Sequence, residues 1–158
     1  MAYPGPVPYS TADARQQLLE SVAEAAEALG ASLASLTEAY EQLDEATGDR
    51  VEEQLFRPVQ RAYGRARSAY TGFATRHSMA TRELEQAGRA APSHGVKGLI
   101  EGAVADVQRA EHTLVTLQDS LLPVEMGDAQ LRADLEQVRE LISGLSGRAR
   151  ELLRTFGR

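Results

Sequence analysis

The periodicity that decides the fold is carried by residues 100–121, IEGAVADVQRAEHTLVTLQDSL. Apolar residues recur there at alternating intervals of three and four positions, which is the spacing of an amphipathic helix with one buried stripe. Asp128, which follows Pro123 and Gly127, can cap the next helix, and the same spacing resumes there and continues to the C-terminus. The two stripes are Ile100, Ala103, Val107, Ala110, Leu114, Leu117 and Leu121, and Leu131, Leu135, Val138, Ile142, Leu145, Ala149, Leu152 and Phe156. These heptad repeats predict two long helices that pack in the manner of a coiled coil.

Two longer helices are predicted upstream of this pair. Ser10 and Asp13 begin the first one in the manner of a capping box, and Gly48 followed by Asp49 signals its end and the cap of the second. Pro58 lies inside the second helix and predicts a kink there. The four helices are expected at about 11–46, 50–87, 94–122 and 128–156. No segment has the alternating pattern of a strand.

Four amphipathic helices joined by short loops form a bundle in which sequence neighbours run antiparallel. The predicted fold is therefore all-α, an antiparallel up-down-up-down four-helix bundle that forms a single domain over residues 10–158. Pro4, Pro6 and Pro8 precede this domain. Their alternation favours an extended, disordered, Pro-rich tail over residues 1–9.

The composition narrows the functional class. A chain of 158 residues suits one domain, and the absence of cysteine removes disulfides, thiolate nucleophiles and cysteine-based metal centres. The net charge of −6 argues against nucleic-acid binding by the whole surface. The sequence has no cationic leader and no apolar run of the roughly 20 residues that a transmembrane helix needs, so we expect a cytoplasmic protein.

One charge pattern contrasts with this acidic background. Residues 54–82 contain six arginines and no Asp or Glu. On a helical wheel, most of these arginines lie on the side of the second helix opposite its apolar stripe. Small residues lie on the same outward side. The face that we expect to bind a partner or a polyanion comprises Arg57, Arg61, Arg65, Arg67 and Arg76 with Tyr63 and Tyr70, and Arg82 belongs to the same outward group.

Three interpretations of this face are open. In the first, it is a solvated helix face whose arginines meet glutamates of the first helix in stretched pairs, such as Glu38 with Arg61. In the second, it is a docking surface for another protein or for another copy of the chain. In the third, the guanidinium groups contact phosphates of nucleic acid or of an anionic membrane, and the tyrosines stack on bases.

A second surface is predicted at the turn between the first two helices. These helices are longer than the last pair by roughly 10 Å at 1.5 Å per residue, so their shared end is expected to project. An exposed apolar cluster at this end favours self-association into a homodimer. The cluster consists of Tyr40, Leu43, Val51, Leu55 and Phe56.

Motifs for catalysis or metal binding are missing from the sequence. Di-metal bundles use Glu-x-x-His pairs, and the residues three positions before His77, His94 and His112 are Ala, Ala and Arg. The sequence also lacks a glycine-rich phosphate loop and a nucleophile elbow. We therefore expect a non-enzymatic interaction or scaffold protein with no metal and no cofactor. A small-molecule pocket near Phe73 and His77, between alanine-rich layers, is a further alternative.

Overall fold

A computed structural model describes residues 10–85 and 95–156, which are helical apart from turns and one extended segment. The seven α-helices in these ranges are α1 (Thr11–Glu41), α2 (Glu45–Val51), α3 (Arg57–Arg76), α4 (Val96–Asp119), α5 (Leu122–Glu125), α6 (Ala129–Ile142) and α7 (Leu145–Phe156). A π-helical turn, Glu52–Phe56, joins α2 to α3. The all-helical prediction is confirmed for these residues, whereas the predicted tail over residues 1–9 and the predicted helix start at residue 94 lie outside them.

The turn after α1 comes earlier than predicted. The Asp44 side chain caps α2 by accepting the Thr47 N–H at 2.8 Å. Gly48 therefore lies inside α2, where a Cβ would be 3.3 Å from Cε2 of Tyr40. Its lack of a side chain allows α1 and α2 to approach closely, so the predicted stop at Gly48 and cap at Asp49 are wrong.

The π turn ends two residues before Pro58, where the sequence predicted a kink. The Arg57 N–H bonds to the Glu52 carbonyl, five residues back. Because Pro58 has no N–H, it cannot bond to the Gln54 carbonyl four residues earlier. Arg148 of α7 donates to that carbonyl through Nε at 3.0 Å. The Gln54 carbonyl, which cannot accept a hydrogen bond from Pro58, thus connects this part of the chain to α7.

The end of α3 was predicted about eleven residues too late. The Met79 N–H bonds to the Ala74 carbonyl at 2.8 Å, and the Ser78 N–H bonds to the Thr75 carbonyl at 3.3 Å. This pair of hydrogen bonds is a Schellman motif, whose central residue takes a left-handed conformation that glycine usually supplies. Here Ser78 occupies that position with a φ of 52°. The chain therefore leaves the helix after Arg76, and the predicted helix over residues 77–87 is wrong for the described part, residues 77–85.

α1 packs antiparallel to both of its neighbours in the bundle. The turn at residues 42–44 joins it to α2 and α3 as a helical hairpin. Its most extensive contacts are with α4. Near one end of that interface the Ser32 hydroxyl donates to the Ala103 carbonyl at 2.9 Å, and beyond the other end Arg15 Nε donates to the Met126 carbonyl at 3.3 Å. Since α3 and α4 both run opposite to α1, they run in the same direction as each other.

α6 and α7 together form the last side of the bundle, between α3 and α4. Asp128, just before α6, bonds to Arg76 at the end of α3, and Arg148 of α7 bonds to Gln54 just before α3. The helices therefore follow the order α1, α3, α6–α7, α4 around the bundle, and every adjacent pair is antiparallel. In chain order the directions are up, down, down, up, so the predicted up-down-up-down order is wrong. α3 ends at Arg76 and α4 begins at Val96, at the opposite end of the bundle, and the number of residues between them is sufficient to span that distance.

The predicted apolar stripes of the last two helices form part of the core. All of their members are buried except Leu121, which is 64% exposed because α4 ends at Asp119, and Phe156, which is half-buried. The predicted fourth helix is divided at Gly144, whose φ of 76° is left-handed. Core residues from α1 include several alanines, which let α1 and α4 approach closely. These are Ala14, Ala23, Ala25, Ala26, Ala28 and Ala39.

Candidate docking surface

The outer side of α3 carries four arginines that the bundle leaves exposed. We call Arg57, Arg61, Arg65 and Arg67 the α3 arginine face. Arg57 lies 3.7 Å from the Glu52 carboxylate, and the two side chains are 59% and 38% exposed, so this ion pair is weak. Within the described ranges, no carboxylate lies within 4 Å of the other three guanidinium groups. The predicted pair of Glu38 with Arg61 is not formed.

Arg76, the fifth arginine of the predicted face, is instead held by the chain itself. Its Nε and Nη2 donate to the two carboxylate oxygens of Asp128 at 2.7 and 2.9 Å. The hydrogen bond from Arg76 is the main reason that the pKa of Asp128 lies well below its usual range. Asp128 also caps α6 through the Leu131 N–H at 2.8 Å, as the sequence predicted. Arg76 therefore joins α3 to α6 and is not part of the α3 arginine face.

Arg82 also points back into its own chain. It lies in the extended segment after α3, and its guanidinium group contacts both Glu20 and Glu27 of α1. These hydrogen bonds raise the pKa of Arg82, and the bond from Arg82 lowers the pKa of Glu27 despite the opposing effect of burial. The predicted outward orientation of Arg82 is wrong because α3 ends six residues before it.

Small side chains lie between the arginines and form a shallow groove along α3. Gly64, Ser68, Thr71 and Gly72 line it together with Arg67. Gly64 is exposed, and a Cβ added there would meet no atom within 4 Å. Glycine inside a helix costs roughly 0.5–1 kcal/mol relative to alanine. No contact among the described residues offsets that cost at Gly64, in contrast to Gly48.

The two tyrosines of the predicted face differ in their exposure. Tyr70 is only 4% exposed, and its hydroxyl accepts the Arg82 N–H at 2.8 Å. Tyr63 is half-buried beside Gly30 of α1, and the Arg67 guanidinium lies 5.5 Å from its ring centroid. The expectation that Tyr70 contributes to a partner surface is therefore wrong, and Tyr63 serves to support Arg67.

The apolar cluster predicted for self-association does not project from the bundle. Val51 and Leu55 are fully buried, Leu43 and Phe56 are half-buried, and only Tyr40, at 41%, is exposed. The early turn after α1 places α2 in contact with α1 and with the π turn. Val51 and Leu55 therefore cannot contribute to the surface on which the homodimer was predicted.

A small-molecule pocket near Phe73 and His77 was the further alternative. In the structure these two residues contact each other, and His77 also contacts Asp128. The two rings are in contact at an interplanar angle of 49° with centroids 4.4 Å apart, and His77 Nε2 lies 2.9 Å from Oδ2 of Asp128. Phe73 itself is fully buried. Both side chains therefore have partners within the bundle.

Wider searches give no functional precedent. No protein family, curated protein or solved structure matches this chain. Across residues 10–85 and 95–156, His, Asp and Glu nowhere form a group of three or more that could hold a metal ion. None of the helices in these ranges has the length and apolar character needed to cross a bilayer. The α3 arginine face is therefore the surface that a functional hypothesis must explain.

Proposed function

We propose that this chain is a non-enzymatic helical-bundle interaction protein that docks an acidic protein partner on the α3 arginine face. The observation that carries the proposal is a contrast within one group of arginines. The chain neutralises Arg76 and Arg82 with its own carboxylates but leaves Arg61 and Arg65 without one in the described ranges. Exposed guanidinium groups of this kind form strong, directional hydrogen bonds with the carboxylates of a partner.

The shape of the surface favours a protein segment that lies along α3. The groove at Gly64, Ser68 and Thr71 is low, and Arg61 and Arg67 lie on opposite sides of it on the helical wheel. Small residues allow two backbones to approach closely, and the contact offsets the helical cost of glycine. A partner helix with carboxylates on both flanks would match this arrangement.

The interface is expected to be polar and sensitive to salt. Among the described residues, the large apolar side chains that count as exposed are Tyr40, Leu121 and Val124, and none of them belongs to α3. Without an apolar anchor, complementary charge governs the rate of association and the choice of partner more than it governs affinity. Such attraction is screened over about 10 Å at 0.1 M salt, so binding should weaken as salt is added.

The second candidate function is binding of a polyanion, either nucleic acid or an anionic membrane. The same exposed guanidinium groups favour it, because they suit phosphate as well as carboxylate. The burial of Tyr70 counts against single-stranded nucleic acid, since that ring cannot stack on a base. Protein docking is therefore the function that the geometry supports better.

A charge-reversal experiment tests the proposal. Affinity capture from the source cell would compare the intact chain with Arg61→Glu/Arg65→Glu and with the matched control Arg150→Glu/Arg154→Glu. The control pair lies on α7, is exposed, and changes the net charge by the same amount. We expect the intact chain and the control to capture protein partners that remain bound after nuclease treatment. The Arg61→Glu/Arg65→Glu variant should not capture them. Equal retention by all three proteins would contradict the proposal.

A direct binding assay separates the second candidate. Labelled single-stranded nucleic acid and anionic vesicles would be titrated with the intact chain at low salt. Binding that disappears in Arg61→Glu/Arg65→Glu, with a steep salt dependence, would assign the face to a polyanion. We expect no such binding, because the acidic remainder of the chain repels a polyanion.

A further inference from the structure

The irregular segment after α3 lies against α1, and the side chain of one arginine makes several of its hydrogen bonds there. We call residues 79–85 the strap. Arg82 donates to the Glu20 carboxylate from Nε at 3.0 Å and from Nη2 at 2.8 Å. It also donates to the Glu27 carboxylate from Nη1 at 2.7 Å and from Nη2 at 3.0 Å. One guanidinium group therefore bridges two carboxylates that lie two turns apart on the same helix.

The backbone and the apolar side chains of the strap add further contacts. The Arg82 N–H donates to the Tyr70 hydroxyl at 2.8 Å, and the Glu85 N–H donates to Glu27 at 2.5 Å. Met79 and Leu84 are half-buried against the core. The strap thus has the features of a bound extended peptide, namely a charged anchor, two apolar anchors and hydrogen bonds from its main chain.

The surface beneath the strap is built by the helices. Glu20 and Glu27 belong to α1, and Tyr70 belongs to α3, which packs beside α1. The other charged groups near Glu27 are Glu24, Glu85 and Arg109. The backbone positions of Glu20, Glu27 and Tyr70 are therefore set by two packed helices and not by the strap. We call the surface that these three residues form the α1–α3 groove.

We propose that the α1–α3 groove is a binding site for an extended peptide segment that carries an arginine followed two residues later by a large apolar residue. The strap fills this site in cis, with Arg82 and Leu84 as the two anchors. The site lies on α1 and α3 away from the α3 arginine face, so it is independent of the function proposed above. A partner segment of the same chemistry would make the same contacts with Glu20, Glu27 and Tyr70.

The ion pairs of the strap are partly open to solvent. The side chains of Arg82 and Glu20 are 40% and 44% exposed, so solvent screens their ion pair, whereas Glu27 is 19% exposed and its pair with Arg82 is screened less. Irregular segments with solvent-exposed hydrogen bonds open locally at lower free energy than the core does. A tethered segment competes with a free one through an effective concentration in the millimolar range. A partner segment present above that range, or one that binds more tightly, would displace the strap.

The experiment uses the full chain with Arg82→Gln, which vacates the contacts with Glu20 and Glu27. The probe is the capped peptide SMATRELE, which corresponds to residues 78–85. Two-dimensional amide NMR should show saturable shifts at Glu20, Glu27 and Tyr70. Because the strap of the unaltered chain competes, we expect binding to the unaltered chain to be about tenfold weaker. The peptide with Gln in place of its arginine should give no saturable shifts.

Two further variants separate specific recognition from general charge. Glu20→Gln/Glu27→Gln should abolish peptide binding, whereas Glu101→Gln, which alters an exposed carboxylate of α4 outside the site, should leave it unchanged. Hydrogen exchange of the unaltered chain provides a readout that needs no variant, because added peptide should accelerate exchange in residues 79–85. Absence of saturable shifts in the Arg82→Gln chain, or equal binding of the two peptides, would overturn the proposal.

Discussion

Replacing Asp128 with alanine should measure how strongly the start of α6 is attached to α3. Asp128 caps α6 through Leu131, and a cap of this kind contributes about 1 kcal/mol. Its carboxylate also accepts two hydrogen bonds from Arg76 and lies 2.9 Å from His77 Nε2. The side chains of Arg76 and Asp128 are 36% and 26% exposed, so solvent screening limits this second contribution to about 1 kcal/mol.

The two contributions give an expected loss of roughly 2 kcal/mol, or about 4–8 °C in Tm for a chain of this length. Asp128→Asn retains the cap and removes the charge, so it should lose about half as much. The matched control is Asp106→Asn, which breaks an exposed pair with Arg109 at 2.6 Å and affects no cap. That control should change the stability by less than about 0.5 kcal/mol. Urea unfolding followed by circular dichroism at neutral pH measures all three variants.

The pH dependence of the same variants provides a second test. The pKa of Asp128 is lower in the folded chain than in the unfolded chain, so its charge stabilises the fold above the unfolded pKa of about 3.9. This stabilisation is lost as the pH falls below that value. The gap between the unaltered chain and Asp128→Asn should therefore narrow in acid. A Tm for Asp128→Ala within 1 °C of the unaltered chain at neutral pH would refute the attachment described above.

Two further substitutions test the local geometry. Gly64→Ala should stabilise the chain by roughly 0.5–1 kcal/mol, because its Cβ meets nothing. Gly30→Ala should be less stable than Gly64→Ala by about 1–3 kcal/mol, because the Cβ added at position 30 would lie 3.1 Å from Cε1 of Tyr63. Equal stability of the two variants in thermal unfolding would contradict this packing. Ser78→Gly should add about 0.5–1 kcal/mol, because Ser78 has a φ of 52° that glycine adopts without strain. A loss of stability in Ser78→Gly would show that α3 does not end in a Schellman motif.

Periodicity in the sequence predicted the buried face of each helix because burial follows the helical repeat. The predicted stripe residues lie in the core, from Ile100 to Leu117 in α4 and from Leu131 to Leu152 in α6 and α7. The cap at Asp128 was also correct, since it precedes an apolar repeat directly. Local signals of this kind depend on residues within one or two turns, so a single sequence carries them.

The errors arise where the structure depends on contacts between distant residues. Ser78 gives no glycine signal, so the end of α3 was missed and Arg82 was placed on a helix that does not extend so far. The direction of α4 depends on the path of the long connection before it, which periodicity does not specify. The partners of Arg82, Glu20 and Glu27, lie 62 and 55 residues away in the sequence, where pattern alone could not identify them.

The most direct test of the account compares two double variants that remove the same charge. The account holds that the chain uses Arg76 and Arg82 for its own stability and keeps Arg61 and Arg65 for a partner. Arg76→Gln/Arg82→Gln should therefore lose about 1–2 kcal/mol, or roughly 2–8 °C in Tm. Arg61→Gln/Arg65→Gln should stay within about 0.5 kcal/mol of the unaltered chain. An equal or greater loss in the second variant would show that these arginines are paired within the fold, and would contradict the account.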